Sequence, residues 1–167
     1  SVGLYGTCGI RSDDTLWCWG SNDYGMIGDG TTIDRLTPVQ VGTDRWKTVT
    51  AGHGHTCAIA TDDTLWCWGN NSSGEVGDGT TIRRLSPVQV GTELWKLVNA
   101  AAWESRTCGI RSDDTLWCWG TMVGDGTTAS WPSPVQVGIK TWRSVSLNEH
   151  VTCGLEKDNT RTCWGDN

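Results

Sequence analysis

Short runs of alternating apolar residues, TCGIR and TLWCW, flank the polar tripeptide SDD at residues 7–19. Both runs are rich in β-formers and SDD is a turn signal, so the segment predicts a β-hairpin. Centring the hairpin on Asp13 sets Leu16 opposite Ile10 and Cys18 opposite Cys8. Alternation then places Cys8, Ile10, Leu16 and Cys18 on one face, with Trp17 and Trp19 on the other. Neither face is polar, which predicts a neighbouring sheet on each side. The hairpin recurs about every 50 residues, beginning near Cys8, Cys57, Cys108 and Cys153. Between copies lie PVQV, whose leading proline suits an outer edge strand, and a W-[KR]-x-V run that suits a further short strand. GDGTT carries an Asp-Gly turn signal at Asp29, Asp78 and Asp125.

Four strands per period, with no helical periodicity, predict an all-β radial or stacked architecture in one domain, 1–167. The repeats run approximately over 3–52, 53–101 and 102–147, with a partial copy at 148–167. Grouping each PVQV-plus-Trp segment with the hairpin that follows gives three blades, 38–69, 87–120 and 134–167. Hairpin 7–20 is then left without companion strands. On this reading the chain is an excerpt of a longer one or, second, a unit of an assembly whose neighbour supplies the missing strands.

The eight cysteines form four pairs of identical spacing: Cys8/Cys18, Cys57/Cys67, Cys108/Cys118 and Cys153/Cys163. Zinc sites usually pair cysteines two to four residues apart and converge four ligands, and a redox site favours C-x-x-C. These pairs are ten apart, and no other ligand recurs beside them. The hairpin register sets the two sulfurs across from one another, which favours disulfides over metal. Four such bridges imply an oxidising compartment: extracellular, cell-surface or periplasmic.

A net charge of −6, with no cluster of lysine or arginine, disfavours nucleic acid and anionic membranes. No apolar run approaches the ~18 residues of a spanning helix, so membrane insertion is not expected. Phenylalanine is absent and tryptophan, with 12 copies, takes the large-aromatic role.

The phrases HTCAIATDDTLWCWGNNSSGEVGDGTTIRRLSPVQV and their two sister copies resemble the RCC1 repeat, the unit of the regulator-of-chromosome-condensation family, and most closely its secreted bacterial-type variants. The resemblance covers essentially the whole chain. It implies an RCC1-like β-propeller built of four-stranded antiparallel blades, here about three and a half repeats of a larger ring or assembly. It brings no catalytic site with it.

Residues repeated in every unit are what packing predicts, so Trp17, Trp19, Trp66, Trp68, Trp117, Trp119 and Trp164 are read as core. Trp46, Trp95 and Trp142 are read the same way. The paired acids Asp13-Asp14, Asp62-Asp63 and Asp113-Asp114, like the GDGTT aspartates, are read as turn residues rather than glycosidase or calcium groups. Trp103 and Trp131 break the repeat and, with Tyr24 and His53 in irregular loops, form the candidate binding surface. His53, His55 and His150 form no repeated cluster, and no nucleophile elbow, P-loop or zinc-protease motif occurs, so neither an enzyme nor a cofactor is expected. Asn70 and Asn71 each begin a glycosylation sequon. The expected function is a secreted or surface module that binds a protein partner. Two alternatives are a structural repeat protein joining copies of itself into an extracellular fibre or lattice, and a glycan-binding lectin.

Overall fold

The computed structural model describes residues 1–148 and 151–165 and contains only strands and turns. The first hairpin pairs β1 (Gly6–Ile10) with β2 (Leu16–Gly20) in the expected register, Cys8 opposite Cys18 and Ile10 opposite Leu16. Its sister hairpins pair β5 (His55–Ala60) with β6 (Thr64–Gly69), β8 (Arg106–Arg111) with β9 (Thr115–Gly120), and β11 (Val151–Glu156) with β12 (Arg161–Gly165). In these three the facing cysteines are Cys57 and Cys67, Cys108 and Cys118, and Cys153 and Cys163. All four pairs are disulfides: Cys8–Cys18, Cys57–Cys67, Cys108–Cys118 and Cys153–Cys163. No cysteine is left for a metal or a redox cycle.

Each turn is built by its acids. Asp13 Oδ1 accepts from the Thr15 amide and hydroxyl, and Asp14 takes the left-handed conformation at φ 63°. Thr15 Oγ1 in turn accepts the Trp17 indole N–H at 2.9 Å. The same relay recurs as Asp62–Thr64–Trp66 and Asp113–Thr115–Trp117.

The grouping of strands into blades is corrected by the pairing. The PVQV strand joins the hairpin before it, not the one after. β3 (Arg35–Gln40) pairs with β2, and Cys18 faces Val39. β4 (Trp46–Ala51) pairs with β5. β7 (Arg84–Ala100) pairs with β6 through its first part and with β8 through its second. β10 (Trp131–Leu147) likewise bridges β9 and β11, with Cys118 opposite Val135 and Cys153 opposite Ser146. A complete blade is therefore W-strand, hairpin, PVQV, as in residues 46–90 and 95–137. The hairpin at 7–20 is not an orphan, because it holds its own outer strand. The geometric reason lies in the V-G step after each PVQV. Gly42, Gly91 and Gly138 adopt φ of 61°, 65° and 67°, turning the chain out of one blade and into the next. The W-strands lie side by side from blade to blade, with the Ala100 amide donating to Thr50 Oγ1 at 3.2 Å.

The core lies between blades. The disulfide and leucine face of one hairpin packs on the tryptophan face of the next. Cys8, Leu16 and Cys18 cluster with Trp46, Ala58 and Trp68, and Cys57, Leu65 and Cys67 cluster with Trp95 and Trp119. Cys108, Leu116 and Cys118 do the same with Trp142, and Trp164 packs against them. A polar clasp locks each of the first two layers. The Trp68 indole N–H and the Thr56 hydroxyl both donate to the Met26 carbonyl, at 2.9 and 2.8 Å. Trp119 and Thr107 reach the Glu75 carbonyl at the same distances. The indole also presses on a glycine: a Cβ on Gly28 would lie 2.5 Å from Trp68 Nε1, and one on Gly77 would lie 2.6 Å from Trp119 Nε1. At the third boundary the clasp is broken. The Met122 carbonyl is taken by Arg106 at 2.8 Å, and Thr152 Oγ1 and Trp164 Nε1, the counterpart donors, find no acceptor among the described residues.

Two glycine substitutions separate this packing from mere sequence regularity. Gly77→Ala should cost about 2–4 kcal/mol by clash and positive-φ strain. Gly9→Ala, where an added Cβ meets nothing within 4 Å, should change stability by no more than about 0.5 kcal/mol. Urea unfolding of the two variants measures the difference.

Candidate binding surface

The antiparallel pairing sends two sets of loops to one end of every blade: 52–54 and 101–105 ahead of the hairpins, and 21–34, 70–83 and 121–130 behind them. Tyr24, His53, Trp103 and Trp131 are all on this end, opposite the hairpin tips.

The long loops are held from inside. Asn22 is fully buried, its Oδ1 accepting from the Ile27 amide while its Nδ2 donates to the Thr31 and Ile33 carbonyls. Asn71 does the same with Val76, Thr80 and Ile82. This corrects the reading of Asn71 as a glycan acceptor, since its amide is enclosed and fully engaged. Asn70 is half-buried and donates to Ser72 and to Glu75 Oε1.

Asp29 Oδ1 accepts from the Thr31 amide and hydroxyl, and Oδ2 binds Arg35 at 2.5 Å. Asp78, Thr80 and Arg84 repeat the arrangement. Burial, the largest influence on these two carboxyls, works against their ionisation. The threonine and arginine contacts together outweigh it and hold both below the usual carboxylate range. The arginine clamp was missed from sequence, although an arginine six residues after GDGTT's aspartate in two units was a visible signal. In the third unit Trp131 stands where Arg35 and Arg84 stand, paired opposite Gly120 as they are opposite Gly20 and Gly69. The shortened loop there also lacks the asparagine anchor.

Trp103 is 55% exposed in a loop longer than its sisters, and Trp131 is 36% exposed. The structure does not gather all four candidates into one patch. Tyr24 and His53 share a cleft of about 250 Å3 with Tyr5, which sequence reading passed over, and Trp103 and Trp131 lie outside it. His150 lies outside the described residues. His55 is not a surface group: it is buried between blades with Nε2 2.8 Å from Thr107 Oγ1. The Thr107 hydroxyl donates to Glu75 O, so His55 Nε2 carries a hydrogen and donates to Thr107 Oγ1. Among the described residues no group of His, Cys, Asp and Glu could hold a metal ion, and no helix is long and apolar enough to cross a membrane.

Models of the regulator of chromosome condensation (RCC1) repeat match residues 13–59 and 62–109, and a second RCC1 repeat model matches 46–75. The chain belongs to the RCC1 repeat family. Its fold is similar to that of yeast RCC1 (Prp20) in complex with Kap60, with TM-score 0.83 and 17% identity over 98% of this chain and 42% of that one. Human WBSCR16 gives TM-score 0.84 and 16% identity over 98% of this chain and 45% of that one. The ectodomain of the receptor kinase CR4 from Physcomitrella patens gives 0.65 and 21%, over 99% and 38%. Such identities show the fold, and the chain spans less than half the length of each neighbour. No curated protein matches it.

Burial, aided by the charge of His53, pushes His55 down to about 4 from an ordinary value of 6.5. The folded protein therefore refuses a proton that the unfolded chain accepts. Stability contributed by neutral His55 is complete above pH 6.5 and is lost as pH falls from there towards 4, by about 3 kcal/mol at the acid end. Urea unfolding across that window should show this loss in the native protein and a much flatter profile in His55→Gln. Parallel profiles would refute the assignment.

Proposed function

We propose that this chain forms part of a secreted or cell-surface RCC1-like propeller whose loop end binds a protein partner. The observation that carries the proposal is positional. The unrepeated aromatics Tyr5, Tyr24, His53, Trp103 and Trp131 all lie on one end of the sheets, while the repeated tryptophans from Trp46 onward pack between blades; Trp17 and Trp19, read as core from the sequence, are half-buried and join no such cluster. Packing requires the second set and leaves the first available for contact, and exposed aromatics of this kind supply interface anchors. Four disulfides support the oxidising compartment. The fold neighbours are consistent with both parts: yeast RCC1 is bound to Kap60, and the CR4 structure is an ectodomain. The proposed role is binding rather than catalysis, because what this end offers is exposed aromatic area.

A photo-crosslinking residue placed at Trp103, or at Asp62 on a hairpin tip, should give a discrete adduct with extracellular protein of the source organism only from position 103. Adducts from Asp62 alone, or from neither position, would contradict the proposal. Trp103→Ala with Trp131→Ala should weaken capture of the crosslinked partner by about tenfold or more and leave Tm unchanged. A fall in Tm would return these residues to the core.

A further inference from the structure

We propose that the cleft between Tyr5, Tyr24 and His53 receives a cationic side chain, arginine or lysine, of the protein partner. The inference rests on the binding role of the loop end and names the chemistry one part of it reads.

The walls of the cleft are not packing residues. Tyr5 occupies the position of Gly54 and Ser105 in the next two units, ahead of the paired residues Gly6, His55 and Arg106. Tyr24 occupies that of Ser73. Yet the rings are fitted together. Tyr5 and His53 stand 5.5 Å apart at 56°, and a Cβ on Gly54 would meet Tyr24 Cδ2 at 3.3 Å. Ser21, Asp23 and Met26 complete the lining of about 250 Å3, room for one side chain rather than a peptide.

Three observations select a cation. Aromatic faces attract one, and a site with several rings attracts it more strongly. Tyr24 already serves as such a platform. The Arg83 guanidinium, reaching over from the next unit's loop, lies 5.3 Å from the ring centroid and donates to the Asp23 carbonyl at 3.1 Å. The charge at this end is also unbalanced. Arg35, Arg84 and Arg106 pair with Asp29, Asp78 and Glu104, and Arg83 is engaged on Tyr24. The exposed carboxylates of Asp23 and Asp34, on either side of the buried Asn22, have no cation among the described residues. An acidic ligand would meet that field unfavourably, and a neutral sugar would use the rings but not the charge.

The test is an NMR titration at pH 7.5 with N-acetyl-arginine amide, read on the ring signals of Tyr5, Tyr24 and His53. N-acetyl-citrulline amide, a neutral isostere, and glucose serve as comparison probes. The arginine probe should shift all three rings saturably, and citrulline should bind about tenfold more weakly or not at all. Tyr24→Ala should abolish the shifts on Tyr5 and His53, Tyr24→Phe should keep them, and Asp23→Asn should weaken them several-fold, with Tm held in each. Equal response to citrulline or glucose, or arginine shifts that survive Tyr24→Ala, would overturn the inference. Absence of arginine binding with crosslinking from Trp103 intact would reject the cation site alone, whereas loss of both would reject the binding role as well.

Discussion

The structure depends on one contact made by the second tryptophan of the TLWCWG phrase. Its indole lies on a glycine of the preceding unit and donates its N–H to the carbonyl two residues before that glycine, Met26 for Trp68 and Glu75 for Trp119. A buried tryptophan removes about 150–250 Å2 from water, worth roughly 4–6 kcal/mol at 25 cal/mol per Å2. Neighbouring sheets in this chain share no backbone ladder except where β7 and β10 cross over, so side-chain layers must join them. The disulfide of the preceding hairpin shares a core cluster with each indole, Cys8–Cys18 with Trp68 and Cys57–Cys67 with Trp119. Glycine is required at the contact because both a side chain and an ordinary φ would drive the sheets apart.

That arrangement divides the sequence into committed and free residues. Asp13, Thr15, Leu16, Trp17 and Cys18, with Trp68 and Trp119, each have an assigned partner in the turn, the relay, the core, the bridge or the clasp. Asn71 and Asp78 are committed too, although a sequence reader meets them as a sequon and a calcium-like motif. What remains free is where the units differ: Tyr24 against Ser73, Tyr5 against Gly54, Trp131 against Arg84. Recognition placed on those residues can change without disturbing the layers beneath, which is how one scaffold hosts unrelated partners.

Much of this was legible in the chain. Hairpin register, disulfide pairing from Cys8–Cys18 through Cys153–Cys163, acid turns and core tryptophans followed from local alternation and from repetition, because each involves residues close in sequence. The grouping of strands into blades did not. PVQV lies between two hairpins, and local pattern cannot say which it joins; the turn at Gly42, Gly91 and Gly138 decides, and its sense is visible only in three dimensions. The burial of Asn71 and His55 was hidden for a similar reason, since their partners, Ile82 and Thr107, are set by loop closure and by the next blade. The candidate surface was half legible. Tyr24 and His53 stood out as residues of irregular loops, but their meeting with Tyr5 required the fold.

The most direct measurement is hydrogen exchange at the indole N–H groups, resolved by NMR. If tryptophan-to-carbonyl clasps join the blades and leave the loop end free, Trp68 and Trp119 should exchange only on global unfolding, while Trp103 exchanges at the rate of an exposed indole. Trp68 or Trp119 exchanging as fast as Trp103 would contradict the account.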